Sequence, residues 1–254
     1  LRGDGLSDRL ITAERDGYFR DGYFRDGYFR DGYFTETGMG EFHFFDPRAE
    51  FSIVERKLPH WTQPGTVCFI TWRTNDSLPK EVVERWRHER FHWLRRQGIN
   101  PNAVNWREEL RQLDLSLQHE FFDHFSTRWH DELDACHGAC VLKDPANARI
   151  VTESLLYAHG ELYELTDFVV MPNHVHLLAV FLSEDAMLEQ CESWKHFTAR
   201  KINRRIGDSG RFWQQDGFDH LVRSEEQFEH FRKYIADNPS KARLADGEYV
   251  HWSK

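Results

Sequence analysis

His174 and His176 stand one residue apart in the apolar run "FVVMPNHVHLLAVF" (168–181). An imidazole among valines and leucines is costly to bury unless its ring nitrogens are engaged. In an extended strand residues i and i+2 share a face, so the two rings project together, away from Val175 and Leu177. Two neutral imidazoles side by side on a rigid element form a two-point clamp for a divalent cation. The same pair also fits two core histidines hydrogen-bonded to the backbone, and H-x-H pairs occur in unrelated barrels and hydrolases. A third ligand and a reacting group are needed to choose between these readings.

The segment "SEEQFEHFRKYIADNPSKARL" (224–244) offers both. Phe228, Phe231 and Ile235 form the apolar stripe of a helix, and Tyr234 and Asn238, four residues apart, fall together at its edge. A phenol hydroxyl then stands one turn from an amide oxygen able to complete a metal site. A tyrosine at such an edge also serves simply as a core residue with its hydroxyl near water. Pro239 disfavours helical geometry in the residue before it, so the expectation is a helix that frays at Asn238. An ordinary phenol titrates near pH 10, so attack at neutral pH needs a cation beside the phenolate; a metal ion, Lys233 and Lys241 are the candidates.

The elements that must hold these residues are legible from pattern. "GTVCFITWRT" (65–74) reads as a first strand, and the helix after it takes Ser77 as N-cap, Pro79 near its start and Gly98 at its end. Residues of about 99–135 read as a polar, largely helical insertion. "DPANARIVTESLLYAHG" is an amphipathic helix, with Ala146, Ile150, Leu155 and Leu156 among its apolar positions. "ELYELTDFVVMP" and "NHVHLLAVF" are two strands joined by a tight Pro-Asn turn. A helix over roughly 185–206, a short strand at 218–223 and a helix from Ser224 complete the order. Long helices mixed with a central hairpin give an α+β fold with an antiparallel sheet.

Composition bounds the rest. The chain has 254 residues, 40% of them hydrophobic and 30% charged, with no apolar run of membrane-spanning length. No basic-then-apolar leader opens it, so the expected setting is the cytoplasm. Cys68, Cys136, Cys140 and Cys191 show no disulfide framework; "CHGAC" (136–140), with His124 or His130, admits a zinc reading that ranks well below ordinary thiols. The net charge of −9 argues against a generally basic coat, yet residues 194–211 carry six basic side chains against one acid. Residues 15–34 are four identical copies of Arg-Asp-Gly-Tyr-Phe. Solenoid repeats are longer and vary in sequence, so residues 1–45 are expected to be a disordered leader, and 46–254 a single domain.

With these pieces in order, the chain resembles the single-tyrosine HUH transposases, in the branch called REP-associated tyrosine transposases. The resemblance runs through "LPHWTQPGTVCFITWRTNDSLP", "HGACVLKDPANARIV", "FVVMPNHVHLL", "SWKHFTARKINRRIGDSGRFWQQDGFDHLVRSEEQF" and "YIADNPSKARL". It implies a ferredoxin-like antiparallel sheet with packed helices. It makes His174, His176 and Asn238 ligands of Mg²⁺ or Mn²⁺, and Tyr234 the nucleophile. Other insertion-sequence relatives carry glutamine where Asn238 stands; the shorter amide is typical of the REP-associated branch. The pentapeptide repeat has no counterpart in the family pattern.

The implied activity is cleavage and rejoining of single-stranded DNA at hairpin-forming palindromes through a covalent 5′-phosphotyrosine. Lys195, Arg200, Lys201, Arg204 and Arg205 are candidates for phosphate contacts, and Trp194 and Trp213 for stacking on bases. His220 lies near the site and reads as structural. Monomer and homodimer stay open. Two rival classes are a catalytically silent hairpin-binding protein on the same fold and a small-molecule metalloenzyme on a β-barrel. The long helices disfavour the second.

Overall fold

A computed structural model describes residues 42–55, 59–215 and 217–254. The pentapeptide repeat lies outside them. Two compact units form the described chain, one of residues 78–135 and one of 42–77 with 136–254.

The larger unit is built on an antiparallel sheet. Its strands are β3 (Val67–Arg73), β4 (Tyr163–Val170), β5 (His174–Phe181), β6 (Phe218–Leu221) and β7 (Val250–Ser253), in the order β6-β3-β5-β4-β7. A short hairpin, β1 (Ser52–Glu55) with β2 (Pro59–Thr62), precedes them. Setting β7 aside, the order β6-β3-β5-β4 is that of a ferredoxin-like sheet, as expected. The sequence reading missed β1, β2 and β7. Each is only four residues long, too short for alternation to stand out, and β7 is an edge strand fixed by pairing with β4.

Strands β3, β4 and β5 are buried along their whole length. A strand covered on both faces needs apolar residues at successive positions, which explains the unbroken "FVV" and "LLAVF" runs. On one face Cys68, Ile70, Trp72, Val175, Leu177 and Ala179 pack with the helices Pro145–Leu156 (α4) and Glu184–Ile206 (α5). Asp144 caps α4 through the amide of Ala146, and Ser183 caps α5 through that of Ala186. On the other face lies Glu225–Lys241 (α6), capped by Ser224 through the amide of Gln227. Phe231 of α6 stacks on Phe69 of β3 with ring centroids 4.3 Å apart.

Two expectations need correcting. The helix after β3 begins beyond Pro79, and Ser77 does not cap it: its hydroxyl donates to the carbonyl of Thr74 at 2.8 Å. Residues 42–45 belong to the packed unit, since Phe42 and Phe45 are buried and the chain there hydrogen-bonds Gly65, Val67 and Val222.

The smaller unit holds α1 (Lys80–Arg96), α2 (Trp106–Arg111) and α3 (Leu115–Asp134). Its own core is aromatic, with Trp93, Trp106, Phe121 and Phe125 packed beside Leu94, Ile99 and Leu110. The indole N–H of Trp93 donates to Glu120 at 2.9 Å. The polar insertion expected at about 99–135 is therefore one part of a unit that also includes the helix before it.

Candidate active site

Register alone sets the site's foundation. Thr71 of β3 pairs with His176 of β5, and Arg73 with His174, so all four side chains share the sheet face that α6 covers. His174 and His176 are fully buried, with ring centroids 4.6 Å apart. The Nδ1 of His174 lies 2.7 Å from Oδ1 of Asn173, and that of His176 lies 2.6 Å from the Thr71 hydroxyl. With each Nδ1 engaged, Nε2 is the nitrogen placed for ligation, the arrangement usual for metal-bound histidine.

Helix α6 delivers the other two groups. Tyr234 is half-buried, its ring centroid 5.1 Å from that of His176 and 6.0 Å from that of Phe69. The ammonium of Lys241 sits 4.8 Å from the centre of the Tyr234 ring, and both Lys241 and Lys233 are exposed. Asn238 is fully buried, one turn beyond Tyr234. Its helix does not fray there, contrary to expectation, but runs through Pro239 to Lys241. Proline costs that helix the hydrogen bond to the Ile235 carbonyl. Burial of Phe231, Ile235, Asn238 and Pro239 against the sheet holds the turn together nonetheless.

Neither amide atom of Asn238, Oδ1 or Nδ2, has a hydrogen-bond partner among the described residues. A buried amide left so costs on the order of 1–3 kcal/mol and calls for an explanation. Two imidazoles and one amide oxygen would fit a small divalent cation, and such a mixed nitrogen and oxygen set suits Mn²⁺ more comfortably than Mg²⁺. Arg73 adds a buried cation to the same face, its guanidinium donating to Ser77 at 3.0 Å. That charge suits an anionic phosphodiester.

The basic helix is less uniform than its sequence. Arg200, Lys201 and Arg204 are exposed. Arg205 is committed to Asp144 at 2.7 Å and Asn147 at 3.1 Å, and Lys195 donates to the carbonyl of Gln215. Trp194 and Trp213 must be withdrawn as stacking platforms. They are 2% and 4% exposed, and their indole N–H groups donate to Tyr163 and Thr198. The exposed aromatic on this helix is Phe197, with Lys201 4.6 Å from its ring centre, and the sequence reading passed it over. Thr71 and Asn173 were also missed; the partner of Thr71 is set by strand register, which no local pattern reveals.

His220 is on the site face, 5.8 Å from the Phe231 ring. In the 136–140 loop the Cys136 thiol, as a hydrogen-bond partner, holds Cys140 below the ordinary thiol range. Among the described residues no three His, Cys, Asp or Glu side chains cluster to hold a metal, so "CHGAC" gains no support as a zinc site.

Residues 142–238 match the model of a family described as "Transposase IS200 like". That segment contains His174, His176, Tyr234 and Asn238, so the similarity to transposases covers the whole candidate site. A solved structure described as "Structure of the REP associates tyrosine transposase bound to a REP hairpin" is also similar, at 13% identity and a TM-score of 0.36, over 72% of each chain. No curated protein matches.

Proposed function

We propose that the protein cuts and rejoins single-stranded DNA at hairpin-forming sequences through a covalent 5′-phosphotyrosine on Tyr234. The observation that carries this reading is Tyr234 packed beside His176, with His174 next to it, and Asn238 one turn along the same helix, its buried amide without a hydrogen-bond partner among the described residues. His174, His176 and Asn238 would hold Mg²⁺ or Mn²⁺, which when bound would polarise a phosphate oxygen and neutralise charge near phosphorus.

The chain's own residues do the rest. Tyr234 is half-buried rather than sealed, so on this reading its hydroxyl is the group a DNA strand must reach. Lys241 places an ammonium 4.8 Å from the centre of the Tyr234 ring. The Tyr234 oxygen attacks phosphorus, the bond from phosphorus to the 3′ oxygen breaks, and the phenolic proton ends on that 3′-hydroxyl. One phosphoester replaces another, so the reverse step rejoins strands without an external energy source. Exposed Arg200, Lys201 and Arg204 supply phosphate contacts remote from the chemistry.

Labelled single-stranded hairpins incubated with the full chain and Mn²⁺ test this on a denaturing gel. The expected result is DNA covalently bound to protein, with label on the fragment 3′ to the break. Cleavage undiminished in EDTA would remove the metal from the proposal. Hairpin binding with no adduct under any divalent metal would leave a DNA-binding protein on the same fold.

A further inference from the structure

We propose that Asn173 is a positioning residue that fixes the tautomer of His174, and that the 136–140 loop anchors it through the carbonyl of His137. The proposal rests on the metal-site reading above. Asn173 is fully buried in the turn between β4 and β5. Its Nδ2 donates to the His137 carbonyl at 3.1 Å, and its Oδ1 faces Nδ1 of His174 at 2.7 Å.

A carbonyl oxygen only accepts, so the amide's NH₂ end must be the one turned to His137. The amide oxygen is thereby turned to His174, and it too only accepts. The proton of a neutral His174 ring must then sit on Nδ1, which leaves the lone pair on Nε2, the nitrogen a cation needs. Thr71 exerts no such control over His176, because a hydroxyl donates or accepts with equal ease.

The loop that supplies the anchoring carbonyl is held from several sides. Cys136 and Cys140, at its two ends, have φ of 51° and 47°, and Gly138 between them has φ of 87°. A Cβ on Gly138 would lie 2.6 Å from the Asp76 carboxylate and 2.7 Å from its carbonyl. The same carboxylate accepts from the Ala139 amide at 2.7 Å. Just beyond the loop, the Leu142 amide donates to Pro172 at 3.1 Å, and the Thr74 amide donates to the carbonyl of Asn173 at 2.7 Å. "CHGAC" is thus shaped to meet the catalytic turn with its backbone, which accounts for a motif that its thiols do not explain.

The test combines the intact chain with two variants. In metal-free protein labelled with ¹⁵N-histidine, multiple-bond ¹H–¹⁵N correlation at a pH where the ring is neutral should show His174 protonated on Nδ1. Asn173→Ala should scramble that pattern and weaken Mn²⁺ binding, measured by calorimetry, by about 10- to 100-fold, with hairpin affinity unchanged. Gly138→Ala, which touches neither ligand, should move both readouts the same way by less. His174 protonated on Nε2 in the wild type overturns the proposal whether or not the variants fold. Wild-type Mn²⁺ affinity in Asn173→Ala, with His174→Ala losing it, removes the positioning role and leaves the metal site standing. Equal Mn²⁺ binding by wild type and His174→Ala removes both.

Discussion

Tyr234 is half-buried whereas His174, His176 and Asn238 are sealed from solvent, and the division matches their proposed tasks. Ligands gain from a dry, rigid setting, and a nucleophile must be reached by a polymer. Tyr234→Phe removes one hydroxyl, so the expectation is loss of the covalent adduct with hairpin affinity within about twofold, since phosphate contacts dominate binding. Peptide mapping of the wild-type adduct should place it in "YIADNPSK"; an adduct on another tyrosine would falsify the mechanism. Asn238→Ala carries an opposite pair of expectations. Removing a buried amide that has no hydrogen-bond partner among the described residues should leave the metal-free melting temperature unchanged or raised, while Mn²⁺ affinity falls. A marked destabilisation without metal would mean that Asn238 is a structural residue. The pairing of these four residues on two shared faces was legible in sequence, because i, i+2 on a strand and i, i+4 on a helix each fix a face; their roles were implied by the family resemblance. Asn173 and Thr71 were not, because their roles depend on a turn contact and on register with a strand about a hundred residues away in sequence.

At the scale of elements, the basic helix α5 shows where composition misleads. Its sequence offers a run of cations and two tryptophans, but helical periodicity turns Trp194 into the core and ties Arg205 to α4. Exposure leaves Arg200, Lys201, Arg204 and Phe197 as the outward face. Replacing Arg200 and Arg204 together by glutamine should weaken binding to all hairpins alike. It should also lower the slope of log affinity against log salt by about 1.4–1.8, the value for two lost phosphate contacts. Arg205→Gln should leave that slope unchanged. If Arg205→Gln flattens the slope as much as the double variant does, the ion pair with Asp144 opens on binding and the assignment of the face is wrong. The strand pair β4–β5 and the helices α4, α5 and α6 were readable because each is long enough for its period to repeat. The missed pieces are four-residue strands whose existence depends on a neighbour, and the continuation of α6 past Pro239 depends on burial that overrides local preference.

At the scale of the whole sheet-bearing unit, the site depends on two layers staying in place, and residues 42–45 brace both. Phe42 packs on Phe228 of α6, the helix carrying Tyr234 and Asn238, with ring centroids 5.5 Å apart. Phe45 packs on the far side with Phe51 and Trp61, at 5.4 and 6.0 Å. Between them, His43 exchanges backbone hydrogen bonds with Gly65 and Val67, and the Phe45 amide reaches Val222 just past β6. A chain beginning at residue 42 and one beginning at residue 46 should therefore behave differently. Each buried phenylalanine contributes about 1.5–3 kcal/mol. At 2–4 °C per kcal/mol for a unit of this size, the shorter chain should melt about 10 °C lower. Because Phe42 leans on the helix of the proposed nucleophile, cleavage should fall further than hairpin affinity, which on the proposed reading rests on α5 at the opposite face. Equal melting temperatures for the two truncations would show that this segment merely lies on the sheet. A loss of hairpin binding as large as the loss of cleavage would show that the substrate surface, and not α6 alone, is what residues 42–45 support.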